Sequence, residues 1–219
     1  GSLQTFEYKL SKKKLFNRSY LINTKGEIIC KYDKIHMYDV KISKHQYYQE
    51  SKTYESGDTA KVAKLKINGK YFKIGMTICY DLRFPSLYRN LAKMDCSIIL
   101  VPAAFTRPTG KDHWEILNRS RAIENNIFIV ATGMCGNHHM KRVTYGHSLL
   151  IDPWGKIINS TKNKPSIINS IINISSLTSD ERDCIYLAGI VSKNCKLVTT
   201  GSRAIAVCKT GIDREKLYD

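Results

Sequence analysis

Of the seven cysteines in the chain, Cys79 stands in the setting that best suits a nucleophile. In Gly75-Met76-Thr77-Ile78-Cys79-Tyr80-Asp81-Leu82-Arg83-Phe84-Pro85 an apolar strand gives way to a turn and a helix, with the thiol at the junction. A side chain at a strand end leans out of its sheet, and the N–H groups and positive dipole end of a following helix favour thiolate. A thiol that attacks a carbonyl also needs a group to move its proton and a donor for the oxyanion.

Two arrangements could supply these. A histidine base is one, and His113 and His147 are its candidates, although neither lies in a papain-like or caspase-like signature. The other fits better. Tyr32-Asp33-Lys34-Ile35-His36-Met37-Tyr38-Asp39 puts a lysine at the end of a strand expected over residues 27–32, and Gln49-Glu50-Ser51 supplies a carboxylate sixteen residues later. Lys34 could hold an oxyanion while Glu50 orients that lysine or carries a proton, which together suit thiol attack on an amide.

These residues need a scaffold. Residues 19–23 and 27–32 flank Thr24-Lys25-Gly26, a hairpin signal, and residues 63–67 and 70–78 are joined by Asn68-Gly69, which a type I′ turn prefers. Residues 86–93 read as a helix, and 97–102 as a strand buried on both faces. Asp112 with Glu115 reads as a helix start, with Ile116, Ser120 and Ile123 forming a small or apolar face down to Asn125. Strands are expected over 127–132, 144–151 and 166–174, a turn at Asp152-Pro153-Trp154-Gly155, and a helix over 175–187. Trp114 and Trp154 read as core or turn-packing residues. The element order argues for an α/β domain of layered sheets, with chemistry at strand ends and loops.

Composition narrows the class. At 219 residues the chain can bury one good core, and its longest apolar runs are far too short to cross a bilayer as a helix, so no membrane partner is expected. The odd number of cysteines and the absence of any Cys-x-x-Cys pair argue against a disulfide framework or zinc ribbon and fit a reducing, cytoplasmic setting. Cys135, His138 and His139 lack a fourth ligand at recognisable spacing, so no metal is expected. The net charge is +16, but the lysines are spread along the chain and the one tight cluster is Lys12-Lys13-Lys14, so a nucleic-acid partner is not expected.

Lys34 in YDKIHMYD, Glu50 in YQES, Cys79 in GMTICYDLRFP, then VPAAFTRPTGKDHWEILNRSRAIEN and YGHSLLIDPWG resemble, in order, the successive signatures of the nitrilase or carbon–nitrogen hydrolase superfamily. Within it the chain is similar to the amidase branch of deaminated glutathione amidases and omega-amidases. The resemblance implies a four-layer αββα sandwich and a homodimer or higher homo-oligomer, with no cofactor. It makes Cys79 the nucleophile, Lys34 the oxyanion holder together with the backbone N–H of Tyr80, and Glu50 the supporting glutamate. Arg83, Phe105, Thr106 and His147 fall in motif loops that would line a substrate pocket with Tyr80. The substrate implied is a small linear amide bearing a carboxylate, cleaved through a thioester on Cys79 with release of ammonia.

Two departures qualify this expectation. The family's general-base glutamate precedes the lysine motif in a first strand and helix with no counterpart here, and Glu7 and Glu27 fall where the pattern has no base. The chain is therefore expected to lack that base, as a fragment of a full enzyme or as a degraded or split member. The alternative is a catalytically inactive remnant or basic binding module. The hydrolase domain is expected over residues 1–186, followed by a divergent tail at 187–219.

Overall fold

Apolar residues at 98–103 have no polar face to offer solvent, and they form the inner strand Ile98–Ala103 of a six-stranded sheet. The structure, a computed structural model, describes residues 2–5, 8–9, 14–43, 46–67, 70–138, 142–172, 174, 195–200 and 203–208. Across the sheet the order is Ile157–Ser160, Leu149–Ile151, Phe128–Gly133, Ile98–Ala103, Lys70–Met76 and Lys61–Ile67. The pairings of Lys70–Met76 with Ile98–Ala103, and of that strand with Phe128–Gly133, are parallel; the outer pairings are antiparallel.

Parallel neighbours need crossover connections, and two helices supply them. Helix α1 (Pro85–Lys93) links the first pair and α2 (Arg107–Asn125) the second. Both cover one face of the sheet, where Leu87, Tyr88, Leu91, Ile99, Val101, Trp114 and Ile129 form the main core. The opposite face meets a three-stranded sheet containing Arg18–Ile22 and Ile28–Asp33. Leu21 and Tyr32 of that sheet pack against Ala63, Ile74, Met76 and Ile78 in a second core. Strand alternation explains the division, because Ile74 and Met76 point one way while Gly75 faces Leu91, Cys96 and Ile99. The layers run helix, sheet, sheet, and among the described residues helices lie on the outer face of one sheet.

The hairpins expected around 24–26 and 68–69 are present in their flanking strands, although Asn68 and Gly69 themselves lie outside the described residues. Four readings require correction. Helix α2 starts at Arg107 rather than near Asp112, because Pro108 fits a first helical turn where no N–H partner is needed. Its buried face carries Gly110, Trp114, Asn118, Arg121, Ala122 and Asn125, while Ile116 and Ile123 are exposed. The single strand expected over 144–151 is two, Val143–Tyr145 and Leu149–Ile151, broken where Gly146 and His147 take φ of +72° and +54°. Residues 161–172 form no strand, and Ile167 and Ile171 stand exposed rather than buried against a sheet. The helix expected over 175–187 lies outside the described residues. Within the expected tail, Cys195–Thr200 and Arg203–Cys208 pair as an antiparallel ribbon.

Trp114 is core and donates its indole N–H to the His147 carbonyl at 2.7 Å, whereas Trp154 at its turn is exposed. Gly133, at the end of an inner strand, lies so close to the broken segment that an added Cβ would sit 2.0 Å from the Gly146 carbonyl oxygen. Gly133→Ala should therefore force backbone apart and lower stability by about 1–3 kcal/mol. Urea unfolding followed by circular dichroism measures this, and an unchanged midpoint would refute it.

Candidate active site

The three parallel strands end on one side of the sheet, and in open α/β sheets that edge is where ligands bind. Lys70–Met76 runs out into Cys79, Ile98–Ala103 into Ala104, Phe105 and Thr106, and Phe128–Gly133 into Met134. These residues, with Lys34 and Glu50 arriving from the second sheet's side, line one cavity of about 450 Å³.

Cys79 opens a short 3₁₀ turn, Cys79–Arg83, and has φ of +50°. A left-handed conformation costs a residue with a Cβ roughly 1–2 kcal/mol, so the surrounding bonds must hold it. Asp81 does so twice, donating its N–H to the Ile78 carbonyl at 3.1 Å and accepting the Ile78 N–H on its side chain at 2.9 Å. Thr77 anchors the preceding step through the Leu100 carbonyl, which accepts from its N–H at 3.1 Å and its hydroxyl at 2.8 Å.

Lys34 follows the strand Ile28–Asp33 directly and is 2 % exposed. Its ammonium is bonded to Glu50, whose carboxylate also accepts from the Asn17 amide at 2.9 Å and the Tyr38 N–H at 2.7 Å. With both oxygens engaged, Glu50 is arranged as the orienter of Lys34. It is also the one carboxylate among the described residues that line the cavity. Cations outnumber it, since Arg83 and Arg142 line the same space.

Burial pushes the Cys79 thiol above its ordinary range, and the positive charge of Lys34 is the largest opposing influence. A backbone hydrogen bond from Ala104 and the charge of Arg142 also pull it down, while Glu50 pushes it up. The helix dipole considered above therefore does not leave Cys79 with a depressed pKa; desolvation outweighs it. Burial likewise raises Tyr38, and burial followed by the Glu50 charge raises Tyr54, so both phenols stay protonated as donors on the cavity wall.

Of the residues expected to line a pocket, Tyr80, Arg83, Phe105 and Thr106 do so. Arg83 lies over the Tyr80 and Phe105 rings, at 6.0 and 5.8 Å from their centroids, and contacts the His113 ring nitrogen at 3.1 Å. His147 is not among the lining residues. Its ring stacks on Tyr145 at 3.9 Å with Nδ1 at 2.6 Å from the Tyr145 carbonyl, and its own carbonyl takes the Trp114 indole, so it braces the turn behind the cavity. Neither His113 nor His147 is among the residues that line the cavity with Cys79. Sequence reasoning missed Asn17, Tyr38, Tyr48, Tyr54, His138 and Arg142 as lining residues. Arg142 stands three residues before the YGHS motif and could have been found there; nothing near Asn17 marks it.

Residues 2–180 match the family model described as carbon-nitrogen hydrolase. The chain belongs to the carbon–nitrogen hydrolase family. It is 43 % identical over 158 residues to the deaminated glutathione amidase of Dictyostelium discoideum, covering 72 % of this chain and 52 % of that protein. The enzyme of the same name from Yersinia enterocolitica is 45 % identical over 160 residues, covering 73 % and 54 %. The chain thus spans about half the length of the curated relatives it matches. Among solved structures, Saccharomyces cerevisiae Nit3, a member of branch 10 of the nitrilase superfamily, superposes with a TM-score of 0.64 at 31 % identity, covering 76 % of this chain and 55 % of that one. The Caenorhabditis elegans NitFhit protein gives 0.65 at 33 % identity, covering 74 % and 39 %. The fold of this hydrolase-family chain is accordingly the nitrilase α/β type.

With its thiol raised by burial, Cys79 should react with iodoacetamide more slowly at neutral pH than an exposed cysteine, the rate climbing above about pH 8.5. Peptide mapping of alkylated protein across pH reads this; half-maximal labelling below pH 7 would contradict it.

Proposed function

We propose that the chain carries the core of a cysteine-dependent amidase acting on a small linear amide with a carboxylate. The observation that supports it best is the convergence of Cys79, Lys34 and Glu50 on one cavity, with Glu50 holding the lysine ammonium. In this reading Cys79 Sγ forms a bond to the amide carbon and the carbonyl oxygen takes up the electron pair. Lys34 and the Tyr80 N–H stabilise that oxyanion; Tyr80 lies in the first turn after Cys79, where N–H groups lack intrahelical partners. Collapse breaks the C–N bond, the proton given up by the Cys79 thiol leaves on the amine, and water then cleaves the thioester to the free acid and the thiol. For a primary amide the amine is ammonia.

Arg83 and Arg142 supply the substrate preference. Both line the cavity, and neither has a carboxylate partner in any ion pair among the described residues. A bidentate guanidinium–carboxylate pair would fix the acid end of the substrate. The relatives named deaminated glutathione amidase make a glutathione-derived amide the first substrate to assay. The same reading includes a homodimer, for which the exposed Ile116 and Ile123 on α2 offer apolar surface.

A second reading, a chain that binds amides without turning them over, is favoured by one feature. The thiol proton needs an acceptor, and Glu50 is already committed to three donors. Trapping separates the two: an active site accumulates an acyl-thioester on Cys79 during turnover, visible by mass spectrometry, and an inert one does not. Cys79→Ala should abolish amide hydrolysis, and Lys34→Ala should reduce it by about a hundredfold or more. Robust turnover by Cys79→Ala would sink the proposal. Arg83→Gln and Arg142→Gln should each raise KM about 10- to 100-fold for a carboxylate-bearing amide while changing an uncharged amide little.

A further inference from the structure

Asp81 is fully buried, yet it is no part of the chemistry just described. Burying a carboxylate costs several kcal/mol unless donors surround it. Asp81 has four. Its Oδ2 accepts from the Tyr32 hydroxyl at 2.7 Å and the Ile78 N–H at 2.9 Å. Its Oδ1 meets the His36 N–H at 3.0 Å and His36 Nδ1 at 2.7 Å. Tyr32 and His36 stand two residues before and after Lys34, and Ile78 directly precedes Cys79. Tyr32 also accepts the Ile35 N–H through its hydroxyl at 3.4 Å, and the His36 ring stacks on Phe84 at 3.6 Å, next to the 3₁₀ turn.

We infer that Asp81 is a positioning residue that locks the strained Cys79 turn to the Lys34 loop through one buried carboxylate. Glu50 fixes the head of the lysine, and Asp81 fixes the backbone on both sides of it relative to the thiol. The two segments come from different sheets, and no ladder bond joins them. Without the carboxylate, the turn loses its side-chain cap and the lysine loop loses its tie to it together. The inference rests on the amidase reading only for its effect on turnover; the positioning itself is read from the thiol.

The test uses the full chain and measures Cys79 alkylation against pH, with no amide present. Lys34→Met removes a charge that favours thiolate, so the profile should move to higher pH and the rate at neutral pH should fall about three- to tenfold. If Asp81 acts by placing Lys34, Asp81→Asn should shift the profile the same way, and the double variant should lie within about twofold of Lys34→Met alone. Loss of a nearby negative charge acting only through space would shift it the opposite way, and that result overturns the proposal. So do additive effects in the double variant, or an unmoved profile beside a lowered Tm. Tyr32→Phe and His36→Gln each remove one partner and keep the Asp81 charge; they should give smaller shifts with the same non-additivity, and they carry the test if Asp81→Asn does not fold. Because the readout is thiol reactivity, failure to hydrolyse amides leaves this inference standing, and its own failure leaves the amidase proposal intact.

Discussion

A carboxylate removed from water has to be met by hydrogen-bond donors, and the donors that meet Asp81 come from both segments that carry the reacting groups. Much else in the site follows from that requirement. The Cys79 turn needs a fixed Ile78 N–H to stay at positive φ, and the loop after Ile28–Asp33 needs anchors on either side of Lys34. One side chain meets both needs because the second sheet packs its Tyr32 directly beneath the turn, in the core with Met76 and Ile78. Packing between the sheets is thus what brings the lysine to the thiol.

The second ordering element is the parallel trio of strands. Because Lys70–Met76, Ile98–Ala103 and Phe128–Gly133 point the same way, their exits cluster and place Cys79, Ala104 and Met134 around one cavity. The crossover helices that parallel pairing requires cover one face of the sheet, and among their described residues Thr109, in the first turn of α2, lines the cavity. Others serve the core: Trp114, Tyr88 and Leu91 are fully buried, and Arg121 donates to the Leu82 carbonyl at 3.1 Å, bracing the 3₁₀ turn from behind.

What could be read from the chain beforehand divides along physical lines. Cys79 and Lys34 are legible at strand ends, and Glu50 through its spacing and the flanking motif resemblance, and the structure brings the three to one cavity. The hairpins were legible through turn chemistry, and the strand Ile98–Ala103 through a run with no polar face. The reach of α2 was misread because Asp112 and Glu115 mimic a helix start inside a helix that Arg107-Pro108 already begins. Its apolar stripe suggests a buried face, whereas Trp114, Asn118 and Arg121 face inward; a polar residue can be buried when the helix backbone accepts its donor, as the Trp114 carbonyl accepts the Asn118 amide at 2.8 Å. Motif proximity points His147 into the pocket, but Gly146 and His147 both take left-handed backbone and the His147 ring stacks on Tyr145. Asn17 and Tyr48 reach the cavity by tertiary packing, which no local spacing encodes.

Charge in the cavity now bears on what it can hold. Glu50 neutralises Lys34 at the ground state, which leaves Arg83 and Arg142 as the cations whose fields a ligand would feel. An anionic ligand end placed on either arginine would be stabilised by it, while the developing oxyanion would compete with Glu50 for Lys34. In the proposed amidase that competition would favour the transition state over the substrate carbonyl, because a full negative charge draws the ammonium more strongly than a neutral oxygen does. The cost falls on the nucleophile. Desolvation pushes the Cys79 thiol above its ordinary range, and Lys34 offsets this only in part. In the proposed amidase the thiol would attack as its proton leaves rather than be stored as thiolate, and the geometry between Cys79 and Lys34 would be the quantity on which its reactivity turns.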